Sequence, residues 1–158
     1  MNESIKVGLS FGITSGTITT LGLMVGLNAG TASKLVVIGG ILTIAIADAA
    51  SDALGIHISQ ESEKDSSPRE VWISTIATFI TKFVFALTFV IPVLILDLTT
   101  AIFVSIGWGI LMLSLFSYYI ATQKGESPWG AITEHVTIAI LVIITTNFVG
   151  DWIAYVFS

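Results

Sequence analysis

Five unbroken apolar stretches, at residues 7–27, 35–58, 71–96, 98–121 and 136–157, take up most of this 158-residue chain. Each exceeds the roughly 20 residues that an α-helix needs to cross a bilayer. The chain has 6 basic and 11 acidic residues. Only Asp48, Asp52, Lys82 and Asp151 fall inside the stretches. One such helix can hide in a soluble core, but five in succession leave no polar surface for water. The solvent is therefore lipid, in which every segment must satisfy its own backbone hydrogen bonds. Helices do this, whereas the alternation over about 10 residues that marks barrel strands is absent. The expected fold is an all-α integral membrane protein, a single five-helix domain over residues 1–158.

Charged residues make up 11% of the chain, against about 25% in an average soluble domain. That argues against a disordered chain or a typical soluble enzyme. A formal charge of −5 offers no basic patch, so no nucleic-acid partner is expected. The absence of cysteine removes disulfides, thiolate metal sites and cysteine nucleophiles. The only histidines, His57 and His135, lie at stretch ends, and no catalytic motif has workable spacing. An enzyme is not expected. The first stretch is too long for a signal peptide, whose apolar part runs to about 15 residues, so it is read as a retained span.

Lys6, Lys64, Arg69 and Lys124 fall on one side of a five-span chain, and Lys34 on the other. Positive charge gathers in cytosolic loops, which places the N-terminus in the cytosol and the C-terminus outside. Trp72, Trp129 and Trp152, with Tyr118, Tyr119 and Tyr155, stand near span ends, as interfacial aromatic residues do. The longest connection, residues 60–70, is short, polar and cytosolic. Pro68 is expected to stop any extension of the second helix, and Pro92 to kink the third.

Two helix faces are not lipid-like. In the first span Gly8, Gly12, Ser15, Thr19, Gly22 and Gly26 follow alternating spacings of four and three, so these small residues form one stripe. Such stripes let backbones approach closely, either within one chain or between two copies of it. In the second span Asp48, Ser51, Asp52, Gly55 and Ser59 share a face that points on toward Glu63. A central charge in a bilayer costs at least about 2.5 kcal/mol, so the acid pair needs a proton, a cation or a basic partner. Burial and like charge both favour the protonated form of a carboxyl group, so such a pair can exchange protons for cations. Its oxygen donors suit hard or borderline divalent cations. Lys82, near 16 Å into the third span at about 1.5 Å per residue, is the basic partner at hand. It would make a structural ion pair with either acid, yet one lysine cannot offset two carboxylates. His57 and Glu61 stand at the cytosolic mouth of this face. Asn147 and Asp151 read as a hydrated helix end, and Glu134 and His135 as capping or interfacial groups.

Residues 9–27, LSFGITSGTITTLGLMVGL, resemble the first-helix signature of the vacuolar iron transporter family. Residues 49–59, AASDALGIHIS, are similar to that family's second helix. The Pro92 region and residues 145–153, TTNFVGDWI, resemble its third and fifth helices less specifically. The resemblance implies a homodimer that exports cytosolic Fe²⁺, often with Mn²⁺, in exchange for protons, along a path lined by the first two helices at the dimer interface. It favours the stripe from Gly8 to Gly26 as the seam between copies. Two departures stand out. The family's first-helix aspartate falls on Ser15, and its second-helix methionine on Asp52. Ser15 and Asp52 lie about 12 and 9 Å from the cytosolic ends of their stretches, so the acid can face the same point from the neighbouring helix. A carboxylate in place of a thioether favours harder ions such as Mn²⁺ or Mg²⁺. The family's long glutamate-rich cytosolic insert is reduced here to residues 60–70.

The reading that follows is export of Fe²⁺ or Mn²⁺ in exchange for protons, with no prosthetic group. Asp52 and Asp48 would be ligands and proton acceptors, Ser15 and Ser51 would add hydroxyl oxygens, and Glu61, Glu63 and His57 would gather ions at the entrance. The membrane would be the cell membrane in a prokaryote and the vacuolar membrane in a eukaryote. The rivals are a monovalent-cation or proton transporter or channel, and a non-transporting scaffold in which Lys82 locks the acids.

Overall fold

The structure, a computed structural model, describes residues 3–63 and 66–157. Lys64, counted above toward orientation, lies outside the described residues. The helices are α1 (Glu3–Thr31), α2 (Lys34–Glu61), α3 (Pro68–Thr88), α4 (Val90–Ile95), α5 (Leu98–Lys124) and α6 (Pro128–Phe157). No strand occurs among the described residues. Taken together, α3 and α4 form one apolar unit, so five helices are long and apolar enough to cross a membrane. The chain is a multi-pass, all-helical membrane protein.

Each helix outruns its apolar stretch. A span of 28 residues is about 42 Å long at 1.5 Å per residue, against a hydrocarbon core of about 30 Å. Hydropathy marks the slab, whereas the helix continues through the headgroup layer until a cap stops it. The largest difference is at α6, which begins at Pro128 rather than at residue 136. Ser33 caps α2 by accepting from the Val36 N–H, and Asp97 caps α5 by accepting from the Thr100 N–H. Ser67 and Glu70 form a reciprocal capping box at the start of α3, with Pro68 in the first turn. Pro68 thus opens α3 instead of stopping α2, which has already ended at Glu61. Its missing N–H is harmless in a first turn, where no intrahelical acceptor exists. Pro92 breaks the third span. Without an N–H it leaves the Thr88 carbonyl unpaired at i−4, and Phe89 closes a tighter bond to the Ala86 carbonyl at 3.2 Å.

At the centre, α1 packs on α2, α3, α5 and α6. It can do so because its faces are small. A Cβ added at Gly8 would fall 2.5 Å from Ala77 Cβ and 2.8 Å from the Ser74 carbonyl oxygen of α3. One at Gly22 would fall 2.7 Å from Val142 Cγ1 of α6. The glycines of the α1 stripe are therefore occupied inside the chain: Gly8 and Gly12 against α3, and Gly22 and Gly26 against α6. Within the chain these glycines set how closely α1 approaches α3 and α6. Beyond mid-bundle, Leu21, Met24 and Val25 join Val37, Ile41, Phe89, Val93, Ala101 and Ile102 in the apolar core. Outside, Leu35, Ile46, Ile80, Phe103 and Phe148 are exposed, as lipid-facing side chains are.

Candidate functional site

Lys82 is the most unusual side chain in the bundle. It is among the largest of the fully buried side chains, and it stands midway along the third span. Facing it are small residues: a Cβ on Gly16 of α1 would lie 3.2 Å from Lys82 Cγ. Buried neighbours on α3, Ser74, Thr78 and Thr81, keep the α1–α3 seam thin and polar. The lysine stem crosses this seam and delivers its ammonium to α2.

There it meets both acids. The ammonium ion-pairs with Asp52 and lies 2.5 Å from Asp48 Oδ2. It donates to Asp52 Oδ2 and to Ser15 Oγ, the latter at 2.9 Å. Ser15 in turn donates to Asp52 Oδ2 at 2.6 Å. Beyond its ion pair with the ammonium, Asp48 Oδ2 has no hydrogen-bond partner among the described residues. The two acids are one helical turn apart and the lysine sits against both, so the sequence alternatives of one partner or the other resolve into a shared pair. Depth follows from the helix ends. Ser15 lies about 18 Å into α1 and Asp52 about 14 Å from the end of α2, well inside both apolar helices. The side chains of Asp48 and Asp52 are 28% and 20% exposed, against 2% for Lys82. The acids therefore have an open side away from the lysine.

The other predicted site residues do not join them. Ser51 is exposed on α2. Thr75 donates its hydroxyl to the Val71 carbonyl, so His57 Nδ1 donates to Thr75 Oγ1 at 2.9 Å. The ring meets Trp72 edge-on at 4.8 Å. His57 thus lines an apolar cleft of about 380 Å³ with Leu54, Trp72, Ile76 and Phe79. Glu61 is exposed beside that cleft. Glu63 accepts from Gln60 Nε2 at 3.1 Å. Among the described residues no three acidic, histidine or cysteine side chains gather as a metal-ligand group. What the acid pair offers is two carboxylates and one hydroxyl, with the lysine ammonium in the place of a cation.

Some contacts went unread in the sequence. His135 Nδ1 lies 2.7 Å from Ser117 Oγ, whose own proton goes to the Leu113 carbonyl. The small polar face of α3 was visible as Ser74, Thr78 and Thr81 at helical spacing. Asn147 Nδ2 donates to Asp151 Oδ2 at 2.9 Å on the exposed face of α6. No protein-family model matches this chain, and no characterised protein gives a significant match.

Proposed function

We propose that this chain is a transporter that carries a divalent cation, Fe²⁺ or Mn²⁺, out of the cytosol in exchange for protons. One observation carries the reading. Two mid-membrane carboxylates share a single ammonium, so the site is one positive charge short. A lone charge at that depth costs at least about 2.5 kcal/mol, and a proton or a mobile cation removes the cost. Asp48 and Asp52 are the ligands and proton acceptors, Ser15 adds a hydroxyl oxygen, and Lys82 holds the acids between cycles. The open side of the acid pair is where the ion enters. The resemblance to vacuolar iron transporters supplies the metal and the direction, and the lysine and arginine positions supply a cytosolic N-terminus. The resemblance also implies a homodimer. The second copy would meet surfaces other than the glycines of α1, which α3 and α6 already cover.

Purified protein in liposomes tests this with internal metal and pH indicators. Asp52→Asn should slow Mn²⁺ and Fe²⁺ movement by at least about tenfold, the usual cost of disturbing a metal-ligand shell. A parental rate would contradict the assignment, and inhibition of Mn²⁺ movement by Na⁺ would move the cargo to a monovalent ion. A second reading, a static lock, is favoured by the full burial of Lys82 and its contact with both acids. Under it Lys82→Met unfolds the protein. Under transport the variant stays folded and its pH dependence changes.

A further inference from the structure

Hydroxyls in this bundle ordinarily turn back on their own helix. Thr19, Thr78, Thr146 and Ser117 each donate to the carbonyl four residues earlier, at 2.8, 2.8, 2.9 and 2.6 Å. Thr17, Thr20 and Ser105 do not. These residues are 0%, 1% and 1% exposed, and none of their hydroxyls has a partner among the described residues. A dry, unpaired hydroxyl is unfavourable, and buried polar groups without protein partners are where internal water collects.

The three are not scattered. The α1 backbone at Gly16 abuts Lys82, so Thr17 is the next residue along α1 from the acid site. A Cβ on Gly109 would lie 3.2 Å from Thr17 Cγ2, which sets α5 against α1 at this level. Thr20 is about 5 Å farther along α1, and Ser105 about 6 Å along the antiparallel α5 from Gly109. Both steps lead toward the end of the bundle where α1 finishes. At that end Asn28, Thr99 and Asn147 line an otherwise apolar, open cleft of about 460 Å³ with Ile102 and Ile106, on either side of Ser105, and the exposed Phe103 and Phe148. The three hydroxyls therefore lie on a line from mid-membrane toward one face of the bundle, beside the apolar core of Leu21, Met24, Val25 and Ile102 and inside a single chain.

We infer that this series holds water and forms the proton route between the Asp48–Asp52–Lys82 site and the side on which α1 ends. Hydroxyls both donate and accept, as a relaying file of water requires. The series contains no charged ligand, so it suits protons rather than a divalent ion. The inference rests on the proton exchange proposed above.

The chain has no cysteine, so single cysteine variants report without background. In nanodiscs, aqueous Ag⁺ should react with Thr17→Cys, Thr20→Cys and Ser105→Cys at least about tenfold faster than with Ser74→Cys and Thr78→Cys, since thiols react as thiolates that need water. Ser74 and Thr78 are just as buried but are hydrogen-bonded. Equally slow reaction at all five positions would overturn the route. A second measurement covers any cysteine variant that misfolds. The near-isosteric Thr17→Val and Ser105→Ala should lower the melting temperature if the hydroxyls hold water, and a higher melting temperature would contradict it. Neither readout needs transport. Reactive cysteines in a protein that moves no cation would leave the water file standing and remove the transport reading.

Discussion

Asp48 and Asp52 both meet the Lys82 ammonium, but only Asp52 has a second donor. Asp52 accepts from both Ser15 and Lys82, whereas Asp48 Oδ2 has only its ion pair with the ammonium. Asp48 therefore depends on the Lys82 ion pair alone. Asp52→Asn should therefore cost about 1–2 kcal/mol of stability, given that hydrogen bonds to charged groups contribute about 1.5–3 kcal/mol and this one is partly exposed. Asp48→Asn should cost about half as much, and thermal melts in one detergent compare the two. Removing one partner of a permanently buried ion pair costs about 3–5 kcal/mol. Lys82→Met should lose clearly less than that, because both acids are partly exposed on the side away from the lysine. A loss of full size would favour the lock. The three charges were legible in the sequence because they are the only charged residues in the second and third apolar stretches. The direction of His57 is written in its spacing from Asp52. Five residues beyond Asp52 is about 140° around a helix of 3.6 residues per turn, which turns the ring away from the acids and toward α3. The orphan hydroxyls were not legible, since a helical threonine looks the same whether it bonds its own backbone or a water.

At the scale of the element, caps and close crossings explain where helices end and how near they come. Ala32 follows α1 with φ of 46°, a left-handed conformation that costs a side chain about 1–2 kcal/mol. Ala32→Gly relieves it and loses about 0.4–1 kcal/mol to the freer unfolded chain, so stability should rise by about 0.5–1 kcal/mol in a chemical denaturation series. Asp97 lies between two spans. The Thr100 N–H, with a contribution from Lys34, holds its carboxyl below its ordinary value. A depressed folded value stabilises above the unfolded value of about 3.8 and is lost as pH falls through the folded one. Melting temperature should thus fall below about pH 4, and Asp97→Asn should flatten that limb. The glycine stripe makes an opposite pair of expectations testable. Gly12→Leu would drive side-chain atoms into Thr81 Cβ and the Thr78 carbonyl, 2.8 and 3.0 Å from a Cβ there. Overpacking of this kind costs about 1–3 kcal/mol, so the variant should lose stability. A stable variant with an altered oligomeric state would instead place the stripe between copies. The spacing announced a close seam but not its partner, because small residues fit any backbone equally well.

For the whole molecule, the solvent decides most of the architecture. Apolar length set the number of helices. Interior polarity then set which of them touch, through the thin Gly–Ser–Thr seam between α1 and α3. How α3 approaches α2 was beyond a one-dimensional pattern, and on that approach depends whether a lysine meets one acid or both. The account turns on the missing positive charge at that meeting. Its most direct test is a proton count in detergent at constant ionic strength, with Mn²⁺ added to weakly buffered protein and an indicator dye. Binding of metal to protonated ligands releases protons. The account predicts release of about one to two protons per chain, abolished in the double variant Asp48→Asn, Asp52→Asn. Mn²⁺ that binds without releasing protons, or release that survives the loss of both acids, would contradict it.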